Sequence, residues 1–459
     1  EIASCLVGSE MCIRDSLRLA RSCPRPLYVV GGSVRDFLAG LTRETSDWDI
    51  CSPMSTEELV SAAEACGLCA EAIYKNTGTV KLKGDGIDYE YTCFRSDKYV
   101  RGTHVPAEIF FTDDISLDAK RRDFTANAVY YDIAADKFLD PLGGRADIEQ
   151  KRLKTVDDAG KVFGEDGLRL MRLARQAGQL CFTPTAECIE GAAANASLIS
   201  DISPERIWAE LSAILRADKK YGNRKGHYEG LKILDKTGVL DYILPELALG
   251  RGMAQRSDFH AHDVLEHTFR AVLYADERVR AAALLHDVGK PFCMKRDGNA
   301  FLHPEEGERI AGEILARFRA PKKETTEIKA LVRLHMYDFD GKVREGKLRR
   351  FFVLRFDLLE KLMLLKQADY SGCKDDLSVC PTNLKWEALL QKMRAEGAPL
   401  KKSELAVSGG DLKDAGIPPS SISLVLDELL LQCALCPALN RKEKLLSLAR
   451  GKKYGADGK

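Results

Sequence analysis

Two patterns of hydrophobic and polar positions follow one another along this chain. Between Leu27 and about Thr155, short apolar or alternating runs (LYVV, DWDI, IDYEYTCF, AVYYDI) predict β-strands, and TEELVSAAEA has the spacing of a helix. After Val156 the strand signals fade. Segments such as EDGLRLMRLARQAG and PERIWAELSAILRA then carry apolar residues at helical spacing, the second with Pro204 at its start. The chain therefore predicts an α+β fold, in which a domain with a small mixed β-sheet and helices is followed by an all-α remainder.

Length and composition limit the class of protein. A chain of 459 residues with 45% hydrophobic residues can bury more than one core. Lys and Arg together number 69, as do Asp and Glu, so binding to a polyanion would depend on local clusters of charge. No apolar run reaches the length of a membrane span and no segment has the pattern of a secretion signal. These features predict a cytoplasmic protein with no membrane partner.

The 14 cysteines are scattered along the chain, which favours reduced thiols in a reducing compartment. Two CxxC pairs, Cys66/Cys69 and Cys433/Cys436, have no histidine nearby. We interpret them as core residues rather than as zinc or redox sites.

A Gly-Gly turn follows the strand LYVV. Gly31 and Gly32 precede SVRDFLAG, which predicts a short helix. We expect this helix to be capped by Ser33 and to end near Gly40. Such a turn can cradle phosphate, because glycine lets the backbone approach the oxygens, the helix N-terminus offers N–H groups, and Arg35 can add a charge-assisted contact. A plain reversal of the chain is the alternative.

A pair of carboxylates follows in SDWDI. On a strand, Asp47 and Asp49 project from the same face, where their mutual repulsion favours a bound cation. Mg²⁺ prefers carboxylate and phosphate oxygens, and two such ions can activate an attacking hydroxyl and neutralise a leaving pyrophosphate. Glu90, in the alternating run IDYEYTCFR, is the candidate third ligand or base. The alternatives are a solvated DxD pair on an edge strand and an exposed Glu on a half-buried sheet.

The segment EDGLRLMRLAR predicts a helix with a polar face. Asp166, Arg169 and Arg172 are three residues apart and share that face. Asp can accept from an exocyclic amine and Arg can donate to a ring nitrogen, a combination that suits the Watson–Crick edges of cytosine and adenine but not those of uracil and guanine. These residues are therefore candidates for selecting CTP and ATP. An ion pair on the helix surface between Asp166 and Arg169 is the alternative.

The chain contains six motifs in series, namely GGSVRD, SDWDI, EYTCFR, RRDFTANAVYYD, DPLGG and EDGLRLMRLAR. In order and spacing they resemble the bacterial class of tRNA nucleotidyltransferases and poly(A) polymerases, over about Leu27 to Leu215. The resemblance implies a nucleotidyltransferase head with Mg²⁺ at its carboxylate pair. It also implies contacts to the ribose and triphosphate from four residues, namely Arg121, Arg122, Asp123 and Asn127.

Six of the eight histidines fall between His260 and His335. They lie in HDVLEHT and the residues just before it, in ALLHDVGKP, in FLHPEEG and in LVRLHM. The segment QADYSG comes next along the chain. This series of motifs resembles the HD phosphohydrolase superfamily. The resemblance implies one divalent metal site formed by His267, His286, Asp287 and Asp369, and a second that could involve His303 and His335. Imidazole and carboxylate ligands suit Mn, Ni, Fe or Mg.

The motifs predict five segments and an activity. The segments are a leader (1–16) that resembles translated adapter sequence and is set aside as non-native, a catalytic head (17–155), a helical neck that binds nucleotide and RNA (156–250), an HD domain (251–372) and a helical tail (373–459). The expected activity is metal-dependent, template-independent transfer of CMP and AMP from CTP and ATP to the tRNA 3′ end, giving CCA. The HD domain could add a phosphohydrolase activity.

Three alternatives share these motifs. A poly(A) polymerase, or an enzyme that adds only CC or only A, would have the same head. A protein of another class would use the HD domain as its catalytic centre and the head as a nucleotide sensor. In an enzyme that acts on tRNA, basic clusters could follow the phosphate backbone, and they occur at Lys322 and Lys323, KVREGKLRR, Lys401 and Lys402, RKEK and RGKK.

Overall fold

The computed structural model describes residues 10–41, 47–84, 88–98, 107–256, 258 and 260–450, with the side chains of residues 10–15 and 47 excepted. Its contacts divide the chain into two compact units, Glu1–Ala248 and Leu249–Lys459. Within the described residues, every strand belongs to the first unit, and the second unit is helical.

The strands of the first unit are β1 (Tyr28–Val30), β2 (Asp47–Ser52), β3 (Cys69–Tyr74), β4 (Thr79–Lys83), β5 (Asp88–Cys93), β6 (Arg95–Lys98), β7 (Glu108–Phe111), β8 (Tyr130–Asp132), β9 (Lys137–Leu139), β10 (Arg152–Leu153) and β11 (Thr183–Pro184). Seven of them form a mixed sheet in the order β3-β4-β5-β2-β1-β8-β9. In this sheet β2 and β5 are parallel, and the other neighbours are antiparallel. The predicted strands LYVV, DWDI, IDYEYTCF and AVYYDI correspond to β1, β2, β5 and β8, so the predicted mixed sheet is confirmed.

Burial of one face fixes which residues of β2 reach solvent. Trp48 and Ile50 are buried, and Asp49 between them is exposed. Burying a large apolar side chain contributes about 1.5–3 kcal/mol, so a register slip that exposed this pair would be strongly disfavoured. A core cluster of eight buried residues lies in the same unit: Val30, Cys51, Phe94, Ala119, Ala128, Tyr130, Val156 and Val162. The apolar pattern thus holds Asp49 on the accessible face.

The helices of the first unit are α1 (Glu10–Ser22), α2 (Gly32–Leu38), α3 (Thr56–Ala65), α4 (Ile115–Lys120), α5 (Gly144–Glu149), α6 (Ala159–Glu165), α7 (Leu168–Leu180), α8 (Ala186–Ala194), α9 (Pro204–Leu215), α10 (Ala217–Tyr221), α11 (Gly226–Lys236), α12 (Val239–Ile243) and α13 (Pro245–Ala248). The helix predicted for TEELVSAAEA is confirmed as α3, which begins with a capping box from Ser55 and Glu58. The predicted cap at Ser33 is wrong, because α2 begins at Gly32 with Gly31 as its cap. Helix α1 begins inside the segment set aside as a leader, and Oγ of Ser16 is hydrogen-bonded to Oη of Tyr89 at 2.9 Å.

The helices of the second unit are α14 (Val264–Tyr274), α15 (Arg280–Leu285), α16 (Lys290–Asp297), α17 (His303–Arg317), α18 (Lys322–Leu334), α19 (Glu345–Leu354), α20 (Phe356–Lys374), α21 (Pro381–Ala395), α22 (Gly409–Asp414), α23 (Ile422–Leu435) and α24 (Lys442–Arg450). Among the described residues, no helix has both the length and the apolar character needed to cross a membrane.

Candidate active site and metal centre

The turn after β1 brings its backbone against a predicted metal ligand. Gly31 has a φ of 80°, a left-handed conformation that favours glycine. A Cβ at this residue would lie 3.2 Å from Oδ2 of Asp49 on the adjacent strand β2. A side chain at Gly31 would therefore crowd the carboxylate, whereas glycine lets backbone and carboxylate lie side by side.

The three predicted metal-binding carboxylates lie on neighbouring strands. The register between β2 and β5 pairs Asp49 with Glu90 and Asp47 with Asp88. Paired residues share a face of a sheet, so Glu90 belongs to the face of Asp49. The carboxylate of Glu90 is about half exposed and lies 4.0 Å from Nζ of Lys81. The side chain of Asp47 lies outside the described residues.

One cavity of about 350 Å³ brings the predicted nucleotide-binding residues together. Asp49 lines it along with all of them, namely Gly31, Gly32, Arg35, Arg121, Arg122, Asp123, Asn127, Asp166, Arg169 and Arg172. Within the described part of the chain, Glu90 is not part of this lining. The volume is that of a small-molecule site, and the excess of cationic over anionic side chains suits a polyphosphate.

Six further polar residues line the cavity and were not predicted, namely Arg95, Asp97, Arg175, Gln176, Gln179 and Lys220. Three of these, Arg175, Gln176 and Gln179, lie on α7. Gln176 and Gln179 follow the predicted Arg172 at four and seven residues and so share its helix face. The same spacing argument that identified Arg169 and Arg172 therefore extends two turns further along the helix.

Asp118 on α4 holds the two arginines of the RRDFTANA motif. Its carboxylate accepts hydrogen bonds from Nε of Arg121 at 2.7 Å, from Nη2 of Arg122 at 3.0 Å and from Oη of Tyr130 at 2.7 Å. Burial alone would raise the pKa of Asp118, but the charges of Arg122 and Arg121 lower it to about 2. A buried, ionised carboxylate thus fixes both guanidinium groups at the cavity. Its spacing of three and four residues from the arginines is the sequence signal that identifies it.

Asp123, Asn127 and Arg35 form a buried network with Gln176 of α7. Nδ2 of Asn127 donates to Oδ1 of Asp123 at 2.8 Å, and Oδ1 of Asn127 accepts from Nη1 of Arg35 at 2.7 Å. Gln176 accepts from Asn127 at 3.1 Å and donates to Asp123 at 3.3 Å. Burial would raise the pKa of Asp123, but the charge of Arg172, whose Nε donates to it at 2.8 Å, lowers it to about 2. Each polar group therefore orients the next.

The guanidinium of Arg35 is engaged with protein partners. Its Nε and Nη2 donate to Asp36 at 2.9 and 2.6 Å, in addition to the bond from Nη1 to Asn127. Tyr221 also donates to Asp36, which ties this pair to α10. Nη1 also donates to Gln176 and Nη2 to Tyr221, both at 3.3 Å, so all five N–H groups are engaged. A direct contact between Arg35 and a phosphate would therefore require exchange of one of these bonds.

The single helix predicted for EDGLRLMRLAR is wrong, because the helix is interrupted at Asp166. Helix α6 ends at Glu165, Asp166 is extended (φ −139°, ψ 107°), and α7 begins at Leu168. Oδ1 of Asp166 accepts from the backbone N of Leu168 at 2.9 Å. A Cβ at Gly167 would lie 2.6 Å from the carbonyl oxygen of Leu198, so the close approach at this break depends on glycine. Asp166 therefore lies at the start of α7 rather than on its face.

Arg169 on α7 is buried and makes several contacts. Its guanidinium donates to the carbonyl of Val162 at 2.9 Å, to Oε2 of Glu165 at 2.9 Å and to the carbonyl of Arg121 at 2.8 Å. It thereby joins the end of α6 to the motif that carries Arg121.

The four ligands predicted for the HD site meet in the second unit. Nε2 of His267 lies 3.3 Å from Oδ2 of Asp287 and 3.1 Å from Oδ1 of Asp369. Nε2 of His286 lies 3.2 and 3.5 Å from the same two oxygens. Two imidazole nitrogens and two carboxylate oxygens thus face one another, and a divalent cation could bind all four. We call these four residues the HD cluster.

His303 and His335 face the other oxygen of Asp287. Their Nε2 atoms lie 3.4 and 3.8 Å from Oδ1 of Asp287 and 3.1 Å from each other. Asp287 thus offers one oxygen to the HD cluster and the second to these two histidines. The donor set fits two cations that share the Asp287 carboxylate.

Backbone carbonyl groups orient three of these imidazoles. Nδ1 of His286, His303 and His335 lies 2.7, 2.6 and 2.7 Å from the carbonyl oxygens of Ala283, Ala300 and Val332. A carbonyl can only accept, so each Nδ1 carries the proton and each Nε2 can be a metal ligand. Burial would lower the pKa of His286, but the charge of Asp287 raises it to about 10, and the same negative charge favours a metal cation.

Comparison with known proteins identifies three family domains in this chain. The Poly A polymerase head domain matches residues 27–154, the probable RNA and SrmB-binding site of polymerase A matches residues 181–249, and the HD domain matches residues 260–371. An A-adding tRNA nucleotidyltransferase of Deinococcus radiodurans is 30% identical over 368 residues, which are 76% of this chain and 77% of that protein. The chain belongs to the tRNA nucleotidyltransferase family.

Other members are similar to this tRNA nucleotidyltransferase over shorter stretches or in fold. A CCA-adding enzyme of Bacillus pumilus is 35% identical over 251 residues, 54% of this chain and 58% of that protein. The crystal structure of the Bacillus stearothermophilus CCA-adding enzyme in complex with CTP superposes with a TM-score of 0.67 at 23% identity, covering 96% of this chain and 97% of that one. The predicted fold class is thereby confirmed.

Some basic residues predicted to contact tRNA form ion pairs within this nucleotidyltransferase. Arg349, in the cluster KVREGKLRR, is buried and donates to Glu345 at 2.8 Å and to Glu396 at 2.6 Å. Lys402 pairs with Asp427 at 2.8 Å. Most of the RGKK cluster lies outside the described residues. Arg349 is therefore a structural residue, because Glu345 and Glu396 neutralise its charge inside the protein.

Replacing His286 by Ala should weaken metal binding in the second unit by about 100-fold or more, because it removes a nitrogen whose orientation Ala283 fixes. Equilibrium dialysis with Mn²⁺, followed by metal analysis, measures this loss. His262→Ala is the matched control, since His262 is nearby but pairs with Asp375. Equal binding by the His286 variant and the wild type would contradict the assignment.

Proposed function

We propose that this chain completes the CCA end of tRNA, transferring CMP and AMP from CTP and ATP to the 3′ hydroxyl. In this proposal Asp47 and Asp49 hold Mg²⁺, and Glu90 is a third ligand or the base. The observation that carries it is the cavity beside Asp49, which all the residues expected to bind nucleotide line together. The likeness in fold to a CCA-adding enzyme solved with CTP supports it.

The arrangement of charges suits transfer of a nucleotidyl group. Bound Mg²⁺ would favour the deprotonated 3′ hydroxyl and neutralise the leaving pyrophosphate. Because the backbone of Gly31 lies beside Asp49, phosphates held by the turn would lie next to the carboxylates. Asp118 holds Arg121 and Arg122 in place, so these cations are positioned before the triphosphate binds.

Asp166 is the residue that we assign first to reading the base. It lines the cavity, and although one oxygen accepts from Leu168, a carboxylate can accept further bonds, such as one from the exocyclic amine of cytosine or adenine. Arg169 would donate to the ring nitrogen after exchanging its contact with Glu165 for the base.

Asp166→Ala should reduce the preference for CTP and ATP over UTP and GTP by roughly 10- to 100-fold, since one such hydrogen bond contributes about 1–3 kcal/mol of discrimination. The ratios of kcat/KM for the four nucleotides measure the effect. Asp157→Asn is the control, because Asp157 is near in sequence but pairs with Lys161. Unchanged ratios in the Asp166 variant would remove this residue from base selection.

Reactions with one nucleotide at a time test the proposed function. The purified protein receives a tRNA that lacks its last three nucleotides, Mg²⁺ and a single nucleoside triphosphate. We expect two additions from CTP alone and none from UTP or GTP. A tRNA that already ends in CC should accept one AMP and then stop. Addition of many AMP residues would favour a poly(A) polymerase.

An enzyme that adds only the final A is the second candidate. The relative from Deinococcus radiodurans, which matches 76% of this chain, is named an A-adding tRNA nucleotidyltransferase. The same reactions separate the two, because an A-adding enzyme would extend the tRNA ending in CC and leave the shorter tRNA unchanged in CTP.

We further propose that the HD cluster binds Mn, Ni, Fe or Mg and hydrolyses phosphate esters or 2′,3′-cyclic phosphates. Lys290 supports a phosphate site, because it lines the adjoining cavity and its Nζ, 2.6 Å from Asp287, places a cation beside the HD cluster. Metal-dependent release of phosphate from an ester, or opening of a 2′,3′-cyclic phosphate to a monoester, that is lost in His286→Ala would support this activity. Equal release by both proteins would assign it to a contaminant.

We propose the domain limits 17–155, 156–250, 251–372 and 373–459 for head, neck, HD domain and tail. The family matches at 27–154, 181–249 and 260–371 support these limits.

We also propose that the protein acts on tRNA in the cytoplasm. The free thiols of the described cysteines support a reducing compartment.

A further inference from the structure

Beside the HD cluster lies a second group of side chains that can bind metal. One ring nitrogen each of His260 and His267 and the Sγ of Cys373 lie within 4.8 Å of one another. His260 and Cys373 line a cavity of about 270 Å³ that adjoins the HD cluster. Neither residue belongs to the ligand set that the HD resemblance implies. We call these three residues the His/Cys group.

Backbone contacts bring the members of the His/Cys group together. A Cβ at Gly372 would lie 2.7 Å from the backbone N of Ala271, so glycine lets α20 approach α14 closely. The carbonyl of Cys373 accepts a hydrogen bond from the backbone N of Ala261 at 2.9 Å. This bond holds the segment carrying His260 against the end of α20 and thereby keeps thiol and imidazole close together.

Two nitrogen atoms of the His/Cys group have no hydrogen-bond partner among the described residues. They are Nδ1 of His260 and Nδ1 of His267, and both are buried. The His267 side chain is fully buried, and its other nitrogen, Nε2, faces Asp287 and Asp369. Buried polar atoms nearly always have partners, and an unpaired one often marks a bound ion or water. An ion among the two rings and the thiol would satisfy both nitrogens.

We propose that His260, His267 and Cys373 bind a zinc-class ion that is separate from the ion of the HD cluster, and that His267, when both ions are bound, bridges them as an imidazolate whose ring proton has passed to solvent. Thiolate and imidazole are the ligands that Zn²⁺ prefers, whereas the imidazoles and carboxylates of the HD cluster suit Mn, Ni, Fe or Mg. Three protein ligands leave the fourth position of a tetrahedral ion open to the adjoining cavity. The wall of this cavity would therefore carry a second kind of metal.

Cobalt is the probe for this site, because a thiolate bound to Co²⁺ gives a charge-transfer absorption that imidazole and carboxylate ligands do not give. We expect this absorption when the metal-free full-length chain is titrated with Co²⁺. Cys373→Ser should abolish it, and His260→Ala should weaken the binding that produces it by about 10-fold or more. Absence of the absorption in the wild type, or its persistence in Cys373→Ser, would overturn the proposal.

Two control variants separate this site from other metal sites. Cys293→Ser removes another buried thiol of the same unit and should leave the absorption unchanged. His286→Ala removes a ligand of the HD cluster alone and should also leave it unchanged. Loss of the absorption in either control would assign the ion elsewhere and refute the proposal. If circular dichroism shows that Cys373→Ser is unfolded, unchanged cobalt binding by folded His260→Ala refutes it instead.

Discussion

Replacing Asp49 by Ala should lower the rate of nucleotide addition by about 1,000-fold. The carboxylate is exposed beside the phosphate turn and lies on the face that the register shares with Glu90, so its loss would remove a metal ligand at the proposed reaction centre. The fold should persist, because the buried neighbours Trp48 and Ile50 are unchanged. Single-turnover addition of CMP to a tRNA that lacks its 3′ end, at saturating CTP and Mg²⁺, measures the effect.

Glu71→Gln is the matched control for this variant. Glu71 lies on the edge strand β3 of the same sheet and pairs with Lys83 at 3.3 Å. Within the described part of the chain, it is not among the residues that line the cavity. It should react at the wild-type rate. If Asp49→Ala also reacted at that rate, Asp49 could not hold a catalytic metal.

Asp118→Ala should destabilise the first unit by about 3–5 kcal/mol, the usual cost of removing one partner from a buried ion pair. Arg121 and Arg122 would then lack the carboxylate that receives their hydrogen bonds. Urea unfolding, monitored by hydrogen exchange at the amides of β8, measures the change in the free energy of unfolding of the first unit. The exposed Asp113, which pairs with Arg25 at 2.8 Å, provides the control, and Asp113→Asn should change stability little. A decrease in the free energy of unfolding as small as that of Asp113→Asn would show that Asp118 does not stabilise the first unit through this ion pair.

The acid stability of the first unit should depend on the same carboxylate. Burial opposes ionisation of Asp118, but the charges of Arg122 and Arg121 dominate and lower its pKa to about 2. An unfolded Asp has a pKa of about 3.9, so the group contributes its full stability above that pH and loses it as the pH falls toward about 2. Asp118→Asn should therefore weaken the pH dependence of the unfolding free energy between about pH 4 and 2. The wild-type slope in this variant would show that Asp118 does not titrate as described.

The elements that the sequence predicted well are those whose signal is local. The strand DWDI alternates buried and exposed residues, and β2 places Trp48 and Ile50 inside and Asp49 outside. Ser55 and Glu58 form the capping box of α3, because both partners lie within one helical turn. The predicted nucleotide-binding residues, from Gly31 to Arg172, line one cavity. Local pattern and motif order were sufficient in these cases.

What the sequence did not predict depends on contacts between distant parts of the chain. The break at Asp166 occurs where Gly167 meets the carbonyl of Leu198, and no pattern within EDGLRLMRLAR encodes that contact. Gln176 reaches Asp123 and Asn127 only after α7 packs against the head. Such partners decide whether a polar side chain binds a ligand or supports its neighbours, so residue type alone could not assign their roles.

The most direct test of the proposed function supplies the protein with a tRNA that lacks its last three nucleotides, together with CTP, ATP and Mg²⁺. The 3′ ends are then sequenced over time. The proposal predicts products that end in C, then CC, then CCA, with no further growth. Products that stop at CC, carry a long run of A, or show no extension at all would contradict it.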